Sequence, residues 1–534
     1  MKGHWTIKGS ERRPLPGARS TGPANARASV VVSIKVRRKK ELPDLRARPA
    51  RTMTRRALAW KFGASARDIA KVVTVFERFG LNKLNANAGT RAIQLRGTVA
   101  QMESAFHTKL YDYAYEGGHY LGRVGPVRVP SELKNIVVAV FGLDSRRVAR
   151  RRRQPARLMS NATTNAMLEA WYTPGRLAEH YSFPEGDGGG QALALLEFGG
   201  GYFARDLRKF CALAGVAVPK VRAISVDGTS TSKRDDDAAE VMLDVEIMAG
   251  VCPKSKIAIY FAQWTERGWI EALDAVMQDS NEPSVVSVSW GNAEDTDIWT
   301  SQAIAQINES LKEAAYRGMT ICVAAGDDGS SDGVMDGLAH VDFPGSSPYV
   351  LSVGGTTIPS PTNAGPDVVW KEGSGLRAHN GGSTGGGVSS LLRRPEWQKS
   401  VAIKSVNRRS IAGRCVPDVA ANADWSVSPY LLVVEGRPQP NGGTSAASPL
   451  LAALIARMNA TRGRRGPIGY LTPVLYQKSG RGTGKTIGAL GCTDVISGNN
   501  GTEKIGGYSA GPGYDAVSGW GTPNGKNLLS ALPF

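Results

Sequence analysis

Ser445 stands in the stretch Asn441-Gly-Gly-Thr-Ser-Ala-Ala-Ser-Pro-Leu450, after two glycines and just before an apolar run over 450–455. The small residues that follow read as a helix carrying Pro449 in its first turn, where the missing N–H has no intrahelical partner. A serine at such a helix start has backbone N–H groups and the positive end of the helix dipole beside it. That setting favours a tetrahedral oxyanion; a plain helix cap is the alternative. A nucleophilic serine needs a base, most often histidine. Beyond residue 160 the histidines are His180, His340 and His379, none in a His-Gly-Thr setting. Carboxyl groups offer another route. Glu240 and Asp244 are four apart and share one helix face, and Val241, Leu243, Val245, Ile247 and Met248 around them predict little solvent. Neighbouring buried carboxyls share a proton, so that one acts as base while the other orients it. Asp327, in Ala324-Ala-Gly-Asp-Asp-Gly-Ser330, follows a predicted strand end. A protonated carboxyl there donates to an oxyanion, unless it is a simple Asp-Gly turn. Such an enzyme needs acid.

These side chains require a scaffold. From Gln191 onward, short apolar runs at 192–196, 256–261, 285–289, 320–325 and 350–353 alternate with helical segments at 237–250, 269–277 and 301–317. The alternation predicts an α/β fold, a parallel sheet covered by helices, with chemistry at the carboxyl ends of its strands. Upstream, 28–36, 92–95 and 120–129 read as strands. Residues 66–79, with Ile69, Val73 and Phe76 on one face, and 99–106 read as helices. Together they form a smaller α+β unit ending near Gly142. Residues 1–27, rich in Gly, Pro, Arg and Ser, read as disordered. Residues 146–171 hold Arg150-Arg-Arg-Arg153 and Ser160-Asn-Ala-Thr-Thr-Asn165. They read as an exposed, cleavable linker or as an ordinary solvated charge run.

With Glu240, Asp244, Asp327 and Ser445 in hand, the chain resembles the sedolisin family of serine-carboxyl peptidases. The resemblance is carried by Glu240-Val-Met-Leu-Asp244, Ala325-Gly-Asp327, Phe343-Pro-Gly-Ser-Ser-Pro-Tyr-Val350, Gly381-Gly-Ser-Thr-Gly-Gly-Gly-Val-Ser389, Val416-Pro-Asp-Val419 and Gly443-Thr-Ser445. It implies a subtilisin-like catalytic domain over 172–534, preceded by an activation propeptide over 28–145. It further implies Ser445 as nucleophile and Glu240 as general base held by Asp244. Protonated Asp327 would join the Ser445 N–H in the oxyanion hole. Glu197 and Trp290 would extend the carboxyl pair, and Ser289, Gly291, Gly385, Gly386 and Gly387 would pair with the substrate backbone. Asp342 either lines a pocket that favours basic side chains or serves as a structural turn acid. Asp494-Val495 and Gly511-Pro-Gly-Tyr-Asp515 bring hard oxygen donors that suit calcium. The resemblance implies one Ca2+ held by Asp494 and Asp515 side chains and the carbonyls of Val495, Gly511 and Gly513.

A chain of 534 residues is too long for one ordinary domain. Its +19 charge suggests nucleic acid or a membrane surface at first, but residues 1–160 hold 34 Lys+Arg against 10 Asp+Glu, net +24, and 161–534 hold 32 against 37, net −5. A basic prosegment docked on an acidic body explains this split, and predicts a docking that weakens as carboxylates protonate. A nucleic-acid binder would need its basic residues in the folded body. The five scattered cysteines show no C-x-x-C pair or zinc spacing, and no 18-residue apolar run suggests a membrane span. Ser479-Gly-Arg-Gly-Thr-Gly-Lys-Thr486 imitates a phosphate loop without its first glycine and reads as a surface loop. The reading is therefore an acid-acting serine endopeptidase made as a zymogen, cut between about Arg153 and Trp171. It acts on polypeptides, with its own propeptide as inhibitor and chaperone, and is expected to be monomeric and extracellular. A catalytically silent, calcium-binding interaction protein on the same fold is the alternative.

Overall fold

The computed structural model describes residues 3–151, 165–359, 365–401, 403–480, 482, 484–503 and 505–534. Arg152, Arg153 and the expected cleavage region as far as Thr164 lie outside the described residues. The predicted alternation folds as one sheet in the order Lys220–Ser225, Lys256–Phe261, Ala192–Glu197, Val285–Val288, Thr320–Ala324 and Leu351–Thr357, all parallel. Val419–Asn422 extends it in parallel and Val368–Val369 closes it antiparallel. Val285–Val288 and Thr320–Ala324 are buried at every residue, as strands covered on both faces must be.

Two pairs of helices cover that sheet. Ala238–Val251 and Thr444–Arg462 pack in the larger core, and Glu266–Gln278 and Ser301–Tyr316 in the core of the other face. Ala238–Val251 is buried along all 14 of its residues, so it has no solvent-facing side and its carboxyls Glu240, Asp244 and Glu246 are buried with it. Glu266–Gln278 starts three residues earlier than the apolar pattern alone suggests, because the Thr265 hydroxyl caps it by accepting from Gly268 N. Lys478 and Thr486 bridge at the base of the loop that resembles a phosphate loop, and among the described residues no strand leads into it.

The N-terminal unit is an antiparallel sheet in the order Asn82–Asn87, Ala92–Thr98, Ser29–Val36 and Val137–Phe141, backed by the helices Ala66–Glu77 and Val99–Phe106. Its core is built from Val32, Ile34, Val72, Phe76, Leu95, Met102 and Phe106. Three expectations need correction here. The strand expected over 120–129 divides into Gly118–Arg123 and Arg128–Pro130, since Gly125 turns with φ +81° ahead of Pro126. Residues 1–27 are not disordered where described. His4–Thr6 pairs with Arg128–Pro130 and Arg19–Pro23 with Leu110–Tyr115, while Arg12 reaches across to Glu266 at 2.8 Å. Open sheet edges and a buried ion pair hold what composition alone would leave loose. The start of the linker is not exposed either. Arg146 is clamped by Asp144 at 2.8 Å, Val148 and Ala149 are buried against the Trp264 carbonyl, and Arg150–Arg151 forms a strand antiparallel to Trp290–Ala293.

The two units share a core, with Leu58, Phe62 and Phe141 packed among Trp269, Leu273 and Ile307. Around it the opposite charges meet. Lys35 lies 2.7 Å from Asp274, and Arg38 holds Glu313 and, at 3.2 Å, Glu309. The charge split thus finds its physical form, but its pH sense at one pair is reversed. Burial pushes Asp274 up to about 6 despite the pull of Lys35. A carboxyl whose pKa rises on docking takes up a proton on docking, so this contact strengthens as pH falls through that range. Acid does not loosen the prosegment here.

In the full-length chain, Lys35→Met leaves Asp274 buried without its cation and should cost about 3–5 kcal/mol near neutrality. The loss should shrink below about 6, where Asp274 is protonated. Urea unfolding above and below that value measures both effects.

Candidate active site

Three neighbouring strands deliver site residues at their carboxyl ends. Glu197 ends Ala192–Glu197, Ser289 follows Val285–Val288, and Asp327 lies three residues beyond Thr320–Ala324. The helices Ala238–Val251 and Thr444–Arg462 add Glu240, Asp244 and Ser445. All six side chains are buried, with at most 0% exposure at each.

The serine helix starts at Thr444, so Pro449 sits in its second turn rather than in the first turn that the sequence suggests. There the proline deprives the Ser445 carbonyl of its helical donor, a loss of about 3 kcal/mol in an ordinary helix. The Ser289 hydroxyl lies 3.2 Å from that carbonyl and 2.9 and 2.8 Å from the two Asp244 oxygens, so its one proton serves one of them at a time, with Asp244 the nearer. The Ser445 hydroxyl in turn lies 3.5 Å from the Ser289 carbonyl. Ser289 therefore contributes its side chain as well as the backbone for which it was singled out.

Glu240 lies one turn before Asp244 on the same buried helix. Burial, then the charges of Glu197 and Glu240, push the Asp244 pKa well up, against the hydrogen bond from Ser289. Glu197 is pushed up in the same way, mainly by burial, although Trp290 Nε1 donates to it at 2.9 Å. Three carboxyls in so little solvent hold fewer than three charges, so at least one of them keeps its proton.

Asp327 is joined to Thr444, the neighbour of Ser445. Its Oδ1 accepts from the Thr444 amide at 2.8 Å and from the Thr444 hydroxyl at 2.7 Å. Its Oδ2 is buried without a hydrogen-bond partner among the described residues. Burial raises its pKa to about 6, with Arg377 and Thr444 pulling the other way. Beside it, burial also pushes Asp328 up, but Arg377 outweighs this and holds it well below the carboxylate range through contacts of 2.9 and 3.0 Å and a shorter one. Thr444 and Arg377 were missed in the sequence. Thr444 sits in a quoted motif, whereas nothing in the Arg377 segment announces its partner 49 residues upstream.

The histidines are engaged elsewhere. His180 faces Asp367 at 3.0 Å, His340 lies between Asp295 and Asp336 at 2.6 and 2.9 Å, and His379 is 3.5 Å from Glu503. Of the expected backbone-pairing residues, Gly291 pairs with Arg150 of the prosegment. A Cβ at Gly291 would meet Asp342 Oδ1 at 1.9 Å, which places buried Asp342 beneath this edge. The glycine run is partly committed within the protein, since Gly385 N donates to Gly326 O at 2.7 Å, Gly386 O accepts from Asn500 and Gly387 pairs with Val416.

At the far end of the chain, Gly513 N donates to Asp494 Oδ2 at 2.7 Å and Gly511 N to Asp515 Oδ2 at 3.0 Å, so the two loops meet. Asp494 Oδ1 is buried without a partner among the described residues, and the Val495 carbonyl lies 3.5 Å from the Ser518 hydroxyl. Among the described residues no group of three or more His, Cys, Asp or Glu could hold a metal. An ion here would depend on two carboxylates and on carbonyls, the donor set that suits calcium.

Residues 17–146 match the family model "Pro-kumamolisin, activation domain", and 227–473 match "Subtilase family". The chain is 39% identical to kumamolisin of Bacillus sp. (strain MN-32), over 98% of this chain and 96% of that one. It is 30% identical to human (Homo sapiens) tripeptidyl-peptidase 1, over 78% and 75% of the respective chains. Among solved structures it is similar to Pseudomonas sedolisin complexed with two molecules of pseudo-iodotyrostatin. That match has a TM-score of 0.57 and 26% identity, over 67% of this chain and 97% of that one.

Replacing Arg377 with Met should move the Asp327 pKa above about 6, because the cation that lowers it is gone. The Asp328 pKa should rise as well. Carboxyl carbon NMR titration of both residues checks the two directions.

Proposed function

This chain belongs to the sedolisin family of serine-carboxyl peptidases and is made with a prodomain; on that premise we propose that it is an acid-acting endopeptidase whose nucleophile is Ser445. The hydroxyl oxygen of Ser445 attacks the peptide carbonyl carbon while its proton passes to Glu240, which Asp244 orients through the shared carboxyl network. The carbonyl oxygen becomes an oxyanion and accepts hydrogen bonds from the Ser445 N–H and the protonated carboxyl of Asp327. The C–N bond then breaks, and Glu240 returns its proton to the leaving amine. Water, deprotonated by Glu240, attacks the acyl-enzyme ester and releases Ser445 with its proton restored. Glu197 and Trp290 support the carboxyl pair from behind.

The observation that carries this reading is Asp327. It is buried beside Thr444, with one oxygen bonded twice and the other without a partner, and its pKa is about 6. Below that value it has a proton to donate, and above it the carboxylate repels an oxyanion. Acid acts in this scheme by arming Asp327, which lets the chain cut its own linker. The basic prosegment and its buried ion pairs support the propeptide's second role, as a chaperone for the acidic body. The silent alternative is not supported, since each of the four proposed catalytic positions carries a competent side chain. Action outside the cell, as a monomer, fits an enzyme that requires acid; no described helix is long and apolar enough to cross a membrane.

One Ca2+ is proposed at the C-terminal loops, held by the Asp494 and Asp515 carboxylates and the carbonyls of Val495, Gly511 and Gly513. The buried, unpartnered Asp494 Oδ1 supports it. Bound there, the ion would hold the two loops together and neutralise their charge.

The wild-type chain should shorten by about its first 160 residues and digest a denatured protein in acid, with turnover falling as pH rises through about 6. Ser445→Ala should stay full length, with turnover reduced about a thousandfold or more. Mass spectrometry and peptide release across the pH range read both; activity that peaks near neutrality would sink the Asp327 scheme. Chelation of calcium should lower the unfolding temperature, with calcium at a hundred times its Kd restoring about 2.7 kcal/mol. Asp494→Asn should abolish that response in calorimetry.

A further inference from the structure

The prosegment strand Arg150–Arg151 lies along the edge strand Trp290–Ala293 with Arg150 opposite Gly291 and Arg151 opposite Trp290. In antiparallel pairs, opposed residues share a face of the sheet; on the reading that substrate adds to this same edge as a strand, the Arg150 backbone stands where substrate would. A substrate residue opposite Ser289 would stand two positions further on, beside the Ser445 hydroxyl. If that residue carries the scissile carbonyl, Arg150 stands in for the third residue on the acyl side, P3.

The Arg150 side chain has built partners. Its Nη2 donates to the Asp332 carbonyl at 2.7 Å, and it lies 3.4 Å from Asp332 Oδ1 and 3.8 Å from Asp328 Oδ2. Both carboxyls are buried, and Arg377 grips Asp328 from the protein side. Gly333 completes the wall, since a Cβ there would lie 3.1 Å from Arg150 Nη1. Arg150 itself is 37% exposed, at the mouth of a cleft of about 930 Å3 that also includes Trp264 and Asp237. Asp237 is engaged by Arg147 at 2.9 Å and Asp235 by Lys233 at 2.7 Å, so those acids face cations of their own.

We propose that Asp332, with its carbonyl and with Asp328 behind it, forms a P3 subsite selective for a cationic, arginine-like substrate side chain. The subsite rests on the serine-carboxyl reading of Ser445 but adds a specificity that the reading does not contain. These contacts all converge on one nitrogen, Nη2, so the subsite selects for positive charge at the end of a long side chain.

The test begins with full-length protein processed in acid, assayed on internally quenched peptides that differ only at P3, as Arg, Leu or Glu. The Arg peptide should show kcat/KM about tenfold or more above Leu, with Glu lowest, as expected when a charge-assisted hydrogen bond is gained. Asp332→Asn fits the same left-handed turn (φ 46°) and should bring the Arg-to-Leu ratio close to one. Equal rates for Arg and Leu, or a ratio unchanged in Asp332→Asn, overturn the subsite while leaving the peptidase reading intact. If no peptide is cut, the peptidase reading fails, and hydrogen exchange of the unprocessed Ser445→Ala chain decides the subsite. Arg150→Leu in that background should speed exchange of the 150 and 151 amides about tenfold or more. Unchanged protection there overturns the assignment.

Discussion

A proline inside the serine helix sets the arrangement of the whole site. Pro449 cannot donate to the Ser445 carbonyl, and the Ser289 hydroxyl at the end of a neighbouring strand lies 3.2 Å from it. Because the same hydroxyl lies on Asp244, one side chain touches three elements, the strand, the carboxyl helix and the helix of Ser445. An ordinary helix would satisfy itself and need no such tie. The defect ties the backbone of Ser445 to the buried carboxyls, so the helix start, the acid pair and the strand end cannot drift apart independently.

The second constraint is the scarcity of water. Glu197, Glu240, Asp244 and Asp327 are all removed from solvent, where carboxylates are costly unless matched or protonated. The protein divides them. The first three lie close enough that burial and mutual charge push Glu197 and Asp244 up, while Asp327 is set apart beside Thr444 and next to the strongly paired Asp328–Arg377. Two adjacent aspartates, Asp327 and Asp328, thus differ in protonation because one faces a cation directly and the other mainly faces burial. Environment assigns the roles, as it does wherever like groups do unlike work.

Much of this was legible beforehand, and the misses have physical causes. The strands Lys256–Phe261 and Val285–Val288 and the helix Ala238–Val251 were visible as β-branched runs and an apolar helical stretch. Glu240, Asp244, Asp327 and Ser445 could be picked out by spacing and setting, but their convergence depends on crossovers that no local pattern states. The order of residues 3–27 was hidden because it comes from strand pairing with distant edges, not from local hydrophobicity. The arginine run was read as a linker because charge counts ignore what a charge meets. Arg150 meets Asp332, 182 residues away in the chain.

The strand at Arg150–Arg151 has a further consequence for how the proenzyme behaves in a changing volume. An inhibitor held on the same chain occupies the cleft at an effective concentration fixed by its tether, on the order of millimolar for short flexible connections. Dilution therefore leaves the cleft as full as it was at synthesis, and crowding does not fill it further. A single cut converts that fixed occupancy into an ordinary bimolecular equilibrium, in which the surrounding volume begins to count. The silence of the proenzyme is a property of each molecule, whereas its later restraint becomes a property of the solution.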